Sequence, residues 1–160
     1  MIVNHGENKK YHHKVIGCNS RLDSIQAVIL NIKLKYLDNY NSTRRIMADN
    51  YNKAFKNINN LQTPIKIDNS THVYHQYTIK VLDGRRDELK EYLHNKGIPT
   101  MIYYPIPLHK QEAFRKYFDD GYCLKNTEEL SKNVLSLPIH SEIENSHQDY
   151  IINEVLDFFK

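Results

Sequence analysis

The hydrophobic pattern of the chain changes near residue 64, and each part predicts a different kind of element. Over residues 20–63 the apolar positions recur every three or four residues, which places them on one stripe of an α-helix. The stripe consists of Leu22, Ile25, Ile29, Ile32, Tyr36, Tyr40, Met47, Tyr51, Phe55 and Ile58. Ser20 and Asp23 have the spacing of a capping box, so the helix is predicted to start at Ser20. We predict one very long helix, or two abutting helices with a bend near residues 39–42.

Beyond Pro64 the pattern alternates between strands and helices. Residues 72–82 alternate apolar and polar side chains, as a half-buried strand does. A helix is predicted over residues 85–96, because Gly97 and Pro99 follow it as a C-terminal stop. The other predicted elements are a strand at 100–104, helices at 110–118 and 127–133, a strand at 134–137, and a last helix capped by Ser146, with Asn126 capping the helix before it. These elements predict an α/β fold in which helices pack on a three-stranded sheet.

The first seventeen residues show neither the helical spacing nor the strand alternation of apolar side chains. They are polar and contain three histidines, His5, His12 and His13. Because such a segment cannot bury an apolar face, we expect it to be poorly ordered alone or to lie on another part of the protein.

Composition excludes several classes of protein. The chain has 160 residues, of which 40% are hydrophobic and 26% charged, so it is one globular domain or a piece of a larger one. The 22 Lys and Arg exceed the 19 Asp and Glu by three, and they are scattered, so no nucleic-acid surface is expected. No window is apolar enough for a membrane span or a secretion signal. Only two cysteines, Cys18 and Cys123, are present, and we expect a reducing cytoplasmic location.

Two common kinds of catalytic site are not indicated. His72 and His75 lie an odd number of residues apart on the predicted strand, so they point to opposite faces, which disfavours a shared metal ion. Cys18 and Cys123 lack the sequence signature of a nucleophile, and the chain has no glycine-rich phosphate loop. We therefore expect no metal and no nucleophile of these classes.

The segment from Gly17 to Asp23 is a candidate anion site. It precedes the predicted helix, whose free N–H groups attract phosphate. Asn19 adds an amide donor and Arg21 a guanidinium that can bind two oxygens. The alternative is that Asn19 and Ser20 only cap the helix while Arg21 pairs with an acidic side chain, and capping is the commoner use of such residues.

The segment from Tyr103 to His109 is a candidate sugar site. Pro105 and Pro107 stiffen it and present Tyr103, Tyr104 and His109 at the end of a predicted strand. Tyrosines suit sugars because the ring stacks on the sugar face while the hydroxyl makes a hydrogen bond. The alternative is a structural corner that contains a buried tyrosine.

Motifs along the whole chain resemble one enzyme family. They are Asn4-His5-Gly6, Gly17-x-Asn19-x-Arg21-Leu22-Asp23, Gln26-Ala27-x-x-Leu30-x-x-Lys33-Leu34, Arg44, Ala48, Tyr51, His72-x-Tyr74-His75-x-Tyr77, Arg86-Asp87-x-Leu89, Gly97-Ile98-Pro99-Thr100, Tyr104-Pro105-x-Pro107-Leu108-His109-x-Gln111 and Leu135-Ser136-Leu137-Pro138. In this order they resemble the C-terminal portion of the pyridoxal-phosphate-dependent sugar aminotransferases, the DegT/DnrJ/EryC1/StrS family.

The resemblance implies a fold and an activity. Family members have the aspartate aminotransferase fold of type I pyridoxal-phosphate enzymes and form homodimers with active sites at the subunit interface. They transfer an amino group, usually from glutamate, to the keto group of a nucleotide-linked sugar for polysaccharide or antibiotic synthesis. By this resemblance, residues 1–19 are a remnant of the large cofactor domain, residues 20–60 are the long linking helix, and residues 61–160 form the small C-terminal α/β domain.

The resemblance also assigns site residues. Asn19 is similar to the asparagine that reaches the cofactor phosphate of the neighbouring subunit, and Arg21 to the residue beside it that faces the nucleotide-sugar. Tyr103 and Tyr104 correspond to an aromatic pair that lines the sugar site, where relatives often have His-Tyr. His109 matches its motif and belongs to the substrate site, more as a supporting residue than as a direct contact.

The family's cofactor-binding lysine lies upstream of Asn4-His5-Gly6, and Lys9 and Lys10 do not match it. We therefore expect no transaminase activity from this chain alone, which would be a truncated product or one half of a split enzyme. Its expected partner is a second copy or the missing N-terminal domain. The alternative is a non-catalytic module that binds a nucleotide-sugar or a protein.

Overall fold

The computed structural model describes residues 1–118 and 121–160. The chain divides into two compact units, Met1–Asp38 and Asn39–Lys160. Among the described residues, no helix is long and apolar enough to cross a membrane.

The first unit begins with a hairpin that the polar sequence did not reveal. Strand β1 (Glu7–Lys9) pairs antiparallel with β2 (His12–His13). The chain then returns to its own start, where the Ser20 N–H donates to the Val3 carbonyl at 2.9 Å. Glycine is needed at this crossing, because a Cβ on Gly17 would lie 2.2 Å from the Gly6 nitrogen.

Helix α1 (Ser24–Leu34) starts four residues later than predicted. Its N-cap is Asp23, whose carboxylate accepts a hydrogen bond from the Gln26 N–H at 2.8 Å. Ser20 does not cap it, because residues 21–23 lie between Ser20 and the first turn of the helix. Helix α2 (Leu37–Phe55) follows. Two abutting helices are therefore present, but the interruption is at residues 35–36 and the predicted bend at 39–42 is wrong.

The second unit contains the sheet. Its order is β3 (Leu61–Gln62), β4 (Tyr77–Val81) and β5 (Val134–Leu137), and both pairings are antiparallel. Around the sheet lie α3 (Arg86–Asn95), α4 (Lys125–Asn133), α5 (Asn145–Phe158) and two 3₁₀ turns, Leu108–Lys110 and Glu112–Tyr117. The predicted α/β architecture with a three-stranded sheet is confirmed, as is the strand at residues 134–137.

The identity of the third strand was predicted wrongly. Residues 100–104 contribute a single bridge, between Met101 and Ser136, because the prolines at 99, 105 and 107 cannot donate to a longer ladder. The third strand is β3, which is too short to show an alternating pattern. The strand predicted at 72–82 begins only at Tyr77, since Tyr74 has a φ of 50° and breaks the extended backbone.

Three helix boundaries also differ from prediction. The helix expected over 110–118 is replaced by the two 3₁₀ turns. Helix α4 starts at Lys125, so Asn126 lies inside it and is not its cap. Helix α5 starts at Asn145 with Glu144 at the N-cap position, ahead of the predicted cap Ser146.

The core lies between one face of the sheet and three helices. Its fully buried large side chains are Tyr51, Phe55, Tyr77, Ile79, Val81, Leu89, Leu93, Leu135 and Val155. The alternation predicted for residues 77–81 is confirmed, since the odd-numbered side chains are buried. On the other face of β4 and β5, the hydroxyl oxygens of Thr78 and Ser136 lie 2.8 Å apart. This polar face borders the candidate site.

Candidate sugar site

A short segment, which we call the tyrosine strap (residues 101–110), carries the predicted aromatic pair. It is attached to β5 where Met101 and Ser136 exchange two backbone hydrogen bonds, at 2.8 and 3.1 Å. Tyr103 and Tyr104 follow at once, with their ring centroids 5.9 Å apart and one ring edge-on to the other. Tyr103 is 41% exposed and Tyr104 71%, so both rings are available to a ligand. The alternative of a corner with a buried tyrosine is therefore wrong.

Tyr103 borders two small cavities. One, of about 270 Å³, is lined by His75, Gln76, Pro99, Thr100, Met101, Tyr103, Ser136, Leu137, Pro138 and Ile139. The other, of about 260 Å³, is lined by Thr78, Tyr103, Tyr104, Thr127, Leu130, Ser131 and Val134. Hydroxyl groups recur in both linings, and each can donate and accept a hydrogen bond. Such a surface matches a ligand that carries several hydroxyl groups beside an apolar face.

Helix α2 holds one wall of the first cavity. The Arg44 guanidinium donates to the Ile139 carbonyl at 2.9 Å and to the His75 carbonyl at 3.4 Å. The Tyr51 hydroxyl donates to the neighbouring Pro138 carbonyl, also at 2.9 Å. Arg44 and Tyr51 lie seven residues apart, which places them on the same face of the helix. Both residues belong to the motifs of the sequence, which do not indicate what they contact.

His109 lies apart from the exposed rings. It is buried on the Leu108–Lys110 turn, beside the adjacent rings of Phe118 and Tyr122, and its ring is nearly perpendicular to both. Its Nε2 lies 3.1 Å from Oε1 of Glu128 on α4, and the other Glu128 oxygen accepts from Lys110 Nζ at 2.5 Å. Its substrate-site role therefore stays a prediction, and the position favours support over direct contact.

Glu128 is the residue of this region that the sequence did not reveal. Hydrogen bonds from Lys110 and then His109 lower the pKa of the Glu128 carboxyl to about 2, so it is ionised at neutral pH. A single glutamate in the first turn of a polar helix is common, because the positive end of the helix dipole stabilises its carboxylate. Only its contacts with His109 and Lys110, which are distant in sequence, distinguish Glu128 from such a glutamate.

Asn19 and Arg21 belong to the first unit, and both are exposed. Asn19 pairs with Asn4 through a backbone bridge, so its side-chain amide keeps its donors. The N-terminus of α1 attracts an anion less strongly than expected. The Asp23 carboxylate accepts the hydrogen bond from the Gln26 N–H and adds its own negative charge there. The roles of Asn19 at a phosphate and of Arg21 at a nucleotide-sugar stay predictions.

The histidines and cysteines considered for metal or thiol chemistry are dispersed over the described parts of the chain. There, no three His, Cys, Asp or Glu residues lie close enough together to hold a metal ion. His72 is engaged locally, since its Nδ1 accepts from the Tyr74 N–H at 3.0 Å. Cys18 and Cys123 are exposed and form no disulfide.

Comparison with known proteins identifies the family. Residues 1–156 match the DegT/DnrJ/EryC1/StrS aminotransferase family. The chain belongs to this family.

Two curated relatives are similar to this member of the DegT/DnrJ/EryC1/StrS family. The pleiotropic regulatory protein of Geobacillus stearothermophilus is 39% identical over all of this chain and 43% of its own length. The UDP-N-acetyl-3-dehydro-α-D-glucosamine 3-aminotransferase of Acidithiobacillus ferrooxidans is 42% identical over 89% of this chain and 37% of its own length. The chain thus spans about two fifths of the relatives it matches.

Two solved structures have the fold of this chain. Streptomyces venezuelae DesV, in complex with a ketimine intermediate, is 32% identical and superposes with a TM-score of 0.91 over all of this chain and 43% of DesV. NtdA of Bacillus subtilis, with bound cofactor PMP, is 29% identical with a TM-score of 0.83 over 99% of this chain and 38% of NtdA. The resemblance to this family and the predicted fold class are therefore confirmed.

Proposed function

We propose that this chain is the C-terminal part of an aminotransferase that uses pyridoxal phosphate and acts on a nucleotide-linked keto-sugar, with glutamate as the amino donor. The observation that carries the proposal is the family match over nearly the whole chain. The exposed tyrosine pair, beside two largely apolar cavities that contain several hydroxyl groups, supports the substrate class.

In this proposal Tyr103, Tyr104 and Arg21 bind the substrate. Tyr104, the more exposed of the pair, stacks on the sugar, and Tyr103 contributes its ring and hydroxyl between the two cavities. Arg21, in the first unit, binds a charged nucleotide group through its guanidinium. None of these groups moves a proton in the reaction, so they act by holding and orienting the sugar.

Pyridoxal phosphate, when bound, supplies the electron sink that allows an amino group to be exchanged. The described residues fit it in part. Asn19 offers an exposed amide that can donate to one phosphate oxygen, but Asp23 occupies the donor at the start of α1. One amide is too little to retain the cofactor. We propose that the other contacts, including the lysine that binds it covalently, come from another polypeptide or domain.

The proposed partner is a second copy of the chain or the N-terminal cofactor domain. Every large apolar side chain of α1 is exposed, including Ile25, Ile29 and Ile32. An apolar stripe of this kind on a helix indicates an interface. We propose no nucleic-acid or membrane partner, and we place the protein in the cytoplasm, where its two free cysteines would stay reduced.

The proposal is tested by supplying an N-terminal domain from a relative. The purified chain is mixed with an N-terminal fragment of the A. ferrooxidans relative and pyridoxal phosphate, and glutamate-dependent amination of UDP-N-acetyl-3-dehydro-α-D-glucosamine is followed. We expect no activity from either piece alone and activity from the mixture. In the active mixture, Tyr104→Ala should raise KM for the sugar at least about tenfold through lost stacking and positioning, whereas Tyr117→Ala, at another exposed tyrosine, should not.

A second candidate is a non-catalytic module that binds a nucleotide-sugar or a protein. It is favoured by the compactness of Asn39–Lys160, which carries the tyrosine strap and both cavities within one unit. Binding of the UDP-sugar to the chain alone, together with a mixture that remains inactive, would support this module over the aminotransferase.

A further inference from the structure

The tyrosine pair lies between two fixed points. On one side, Met101 is bonded twice to Ser136 of β5. On the other side, His109 and Lys110 both contact Glu128 of α4. Four residues, 105–108, separate Tyr104 from His109, so the rings cannot move far while both ends are held.

One carboxylate forms the second fixed point. Each Glu128 oxygen binds a different residue of the strap, at 3.1 Å for His109 Nε2 and 2.5 Å for Lys110 Nζ. The His109 side chain is 3% exposed and that of Glu128 is 18% exposed, so water competes little for the first contact. Hydrogen bonds to an ionised group are stronger than those between neutral groups.

The chain between the anchor and the rings is stiff. Pro105 and Pro107 each have a restricted φ. The Lys110 N–H donates to the Pro107 carbonyl at 2.9 Å, and the Gln111 side-chain amide donates to the Ile106 carbonyl at 3.3 Å. A displacement at His109 is therefore passed on to Tyr104 and is not absorbed between them.

We propose that Glu128 is a positioning residue for the sugar site: by holding His109 and Lys110 against α4, it fixes where Tyr103 and Tyr104 present their rings. The role of the rings themselves rests on the proposed function. Glu128 does not touch the sugar in this proposal.

Hydrogen exchange on the 160-residue chain tests the anchor without any ligand. Glu128→Gln should make the amides of Lys110 and Gln111 exchange at least about tenfold faster while the amides of β4 keep their protection. Glu129→Gln is the matched control, because the adjacent Glu129 pairs with Lys80 at 2.6 Å instead. Equal exchange of the strap amides in the two variants would overturn the proposal.

A second variant decides the matter if Glu128→Gln unfolds the chain, which faster exchange in β4 would reveal. Lys110→Met removes the ion pair between Lys110 and Glu128. The Lys110 side chain is half exposed, so the fold should tolerate the change. It should speed exchange of the Gln111 amide, and Lys116→Met should not. No difference between these two variants would also overturn the proposal.

The restored transaminase separates this inference from the proposed function. Glu128→Gln should raise KM for UDP-N-acetyl-3-dehydro-α-D-glucosamine and leave the half-reaction with glutamate unchanged, because only the sugar meets the strap. An active mixture with an unchanged KM would refute the positioning role. An inactive wild-type mixture would instead refute the proposed function, while hydrogen exchange would still decide whether the anchor exists.

Discussion

Two buried tyrosines of one aromatic cluster differ in a single hydrogen bond. The Tyr77 hydroxyl donates to Asn52 Oδ1 at 2.7 Å. The Tyr74 hydroxyl is buried without a partner among the described residues. We predict that Tyr77→Phe lowers the free energy of unfolding by about 1 kcal/mol, and that Tyr74→Phe leaves it unchanged or raises it. Urea unfolding measures both. An equal loss in the two variants would show that the Tyr74 hydroxyl is hydrogen-bonded in solution.

The lowered pKa of Glu128 predicts a pH dependence of stability. Its carboxyl has a pKa of about 2 in the folded chain against an ordinary value of 4.5. A lowered pKa means that the ionised group stabilises the fold above the ordinary value and loses this effect as the pH falls through the folded value. The difference in unfolding free energy between wild type and Glu128→Gln should therefore shrink between about pH 4.5 and pH 2. A constant difference would contradict the assignment.

At the scale of residues, the site was predictable only where local sequence is unusual. Two prolines beside two tyrosines indicated the strap, and the structure exposes both rings. Glu128 carried no such signal, because its contact with His109 joins residues 19 positions apart. Burial of His109 was equally invisible, since it depends on Phe118 and Tyr122.

At the scale of elements, the start of α1 makes a prediction. Asp23 caps the helix and Ser20 does not, although the sequence favoured Ser20. Asp23→Ala should cost about 1 kcal/mol of helix stability, because the Gln26 N–H loses its acceptor. Ser20→Ala should leave α1 unchanged. Amide exchange within α1 measures the effect. A larger loss of protection in Ser20→Ala than in Asp23→Ala would show that Ser20 caps the helix.

The elements that were predicted well are those whose pattern repeats. Helix α3 shows three buried positions at helical spacing and a glycine with a φ of 73° after its end, so its bounds were predicted within one residue. Strand β4 repeats buried and half-buried positions. Strand β3, with two residues, has no period to detect, and only its pairing with Lys80 and Val81 makes it a strand.

At the scale of the whole molecule, the exposed stripe of α1 predicts self-association. Ile25, Ile29 and Ile32 are each more than half exposed. Because apolar surface of this extent drives association, we expect a dimer or larger species by light scattering. Ile29→Glu should shift the chain toward monomer by placing a charge in the interface. Ile67→Glu, at an exposed position of the second unit, is the control, and a wild-type monomer at high concentration would contradict the prediction.

The sequence by itself determined the family, the α/β class and the faces of the longer elements, because these depend on short motifs and on periods that one segment repeats. The tertiary structure alone decided which segment completes the sheet, where α1 begins and that Glu128 holds the strap. The start of α1 depends on which of two candidate side chains accepts a hydrogen bond from a free helix N–H. The first and the last depend on contacts between distant parts of the chain, Leu61 with Val81 and His109 with Glu128. Such a contact forms only where packing brings two segments together, and no local pattern encodes that position.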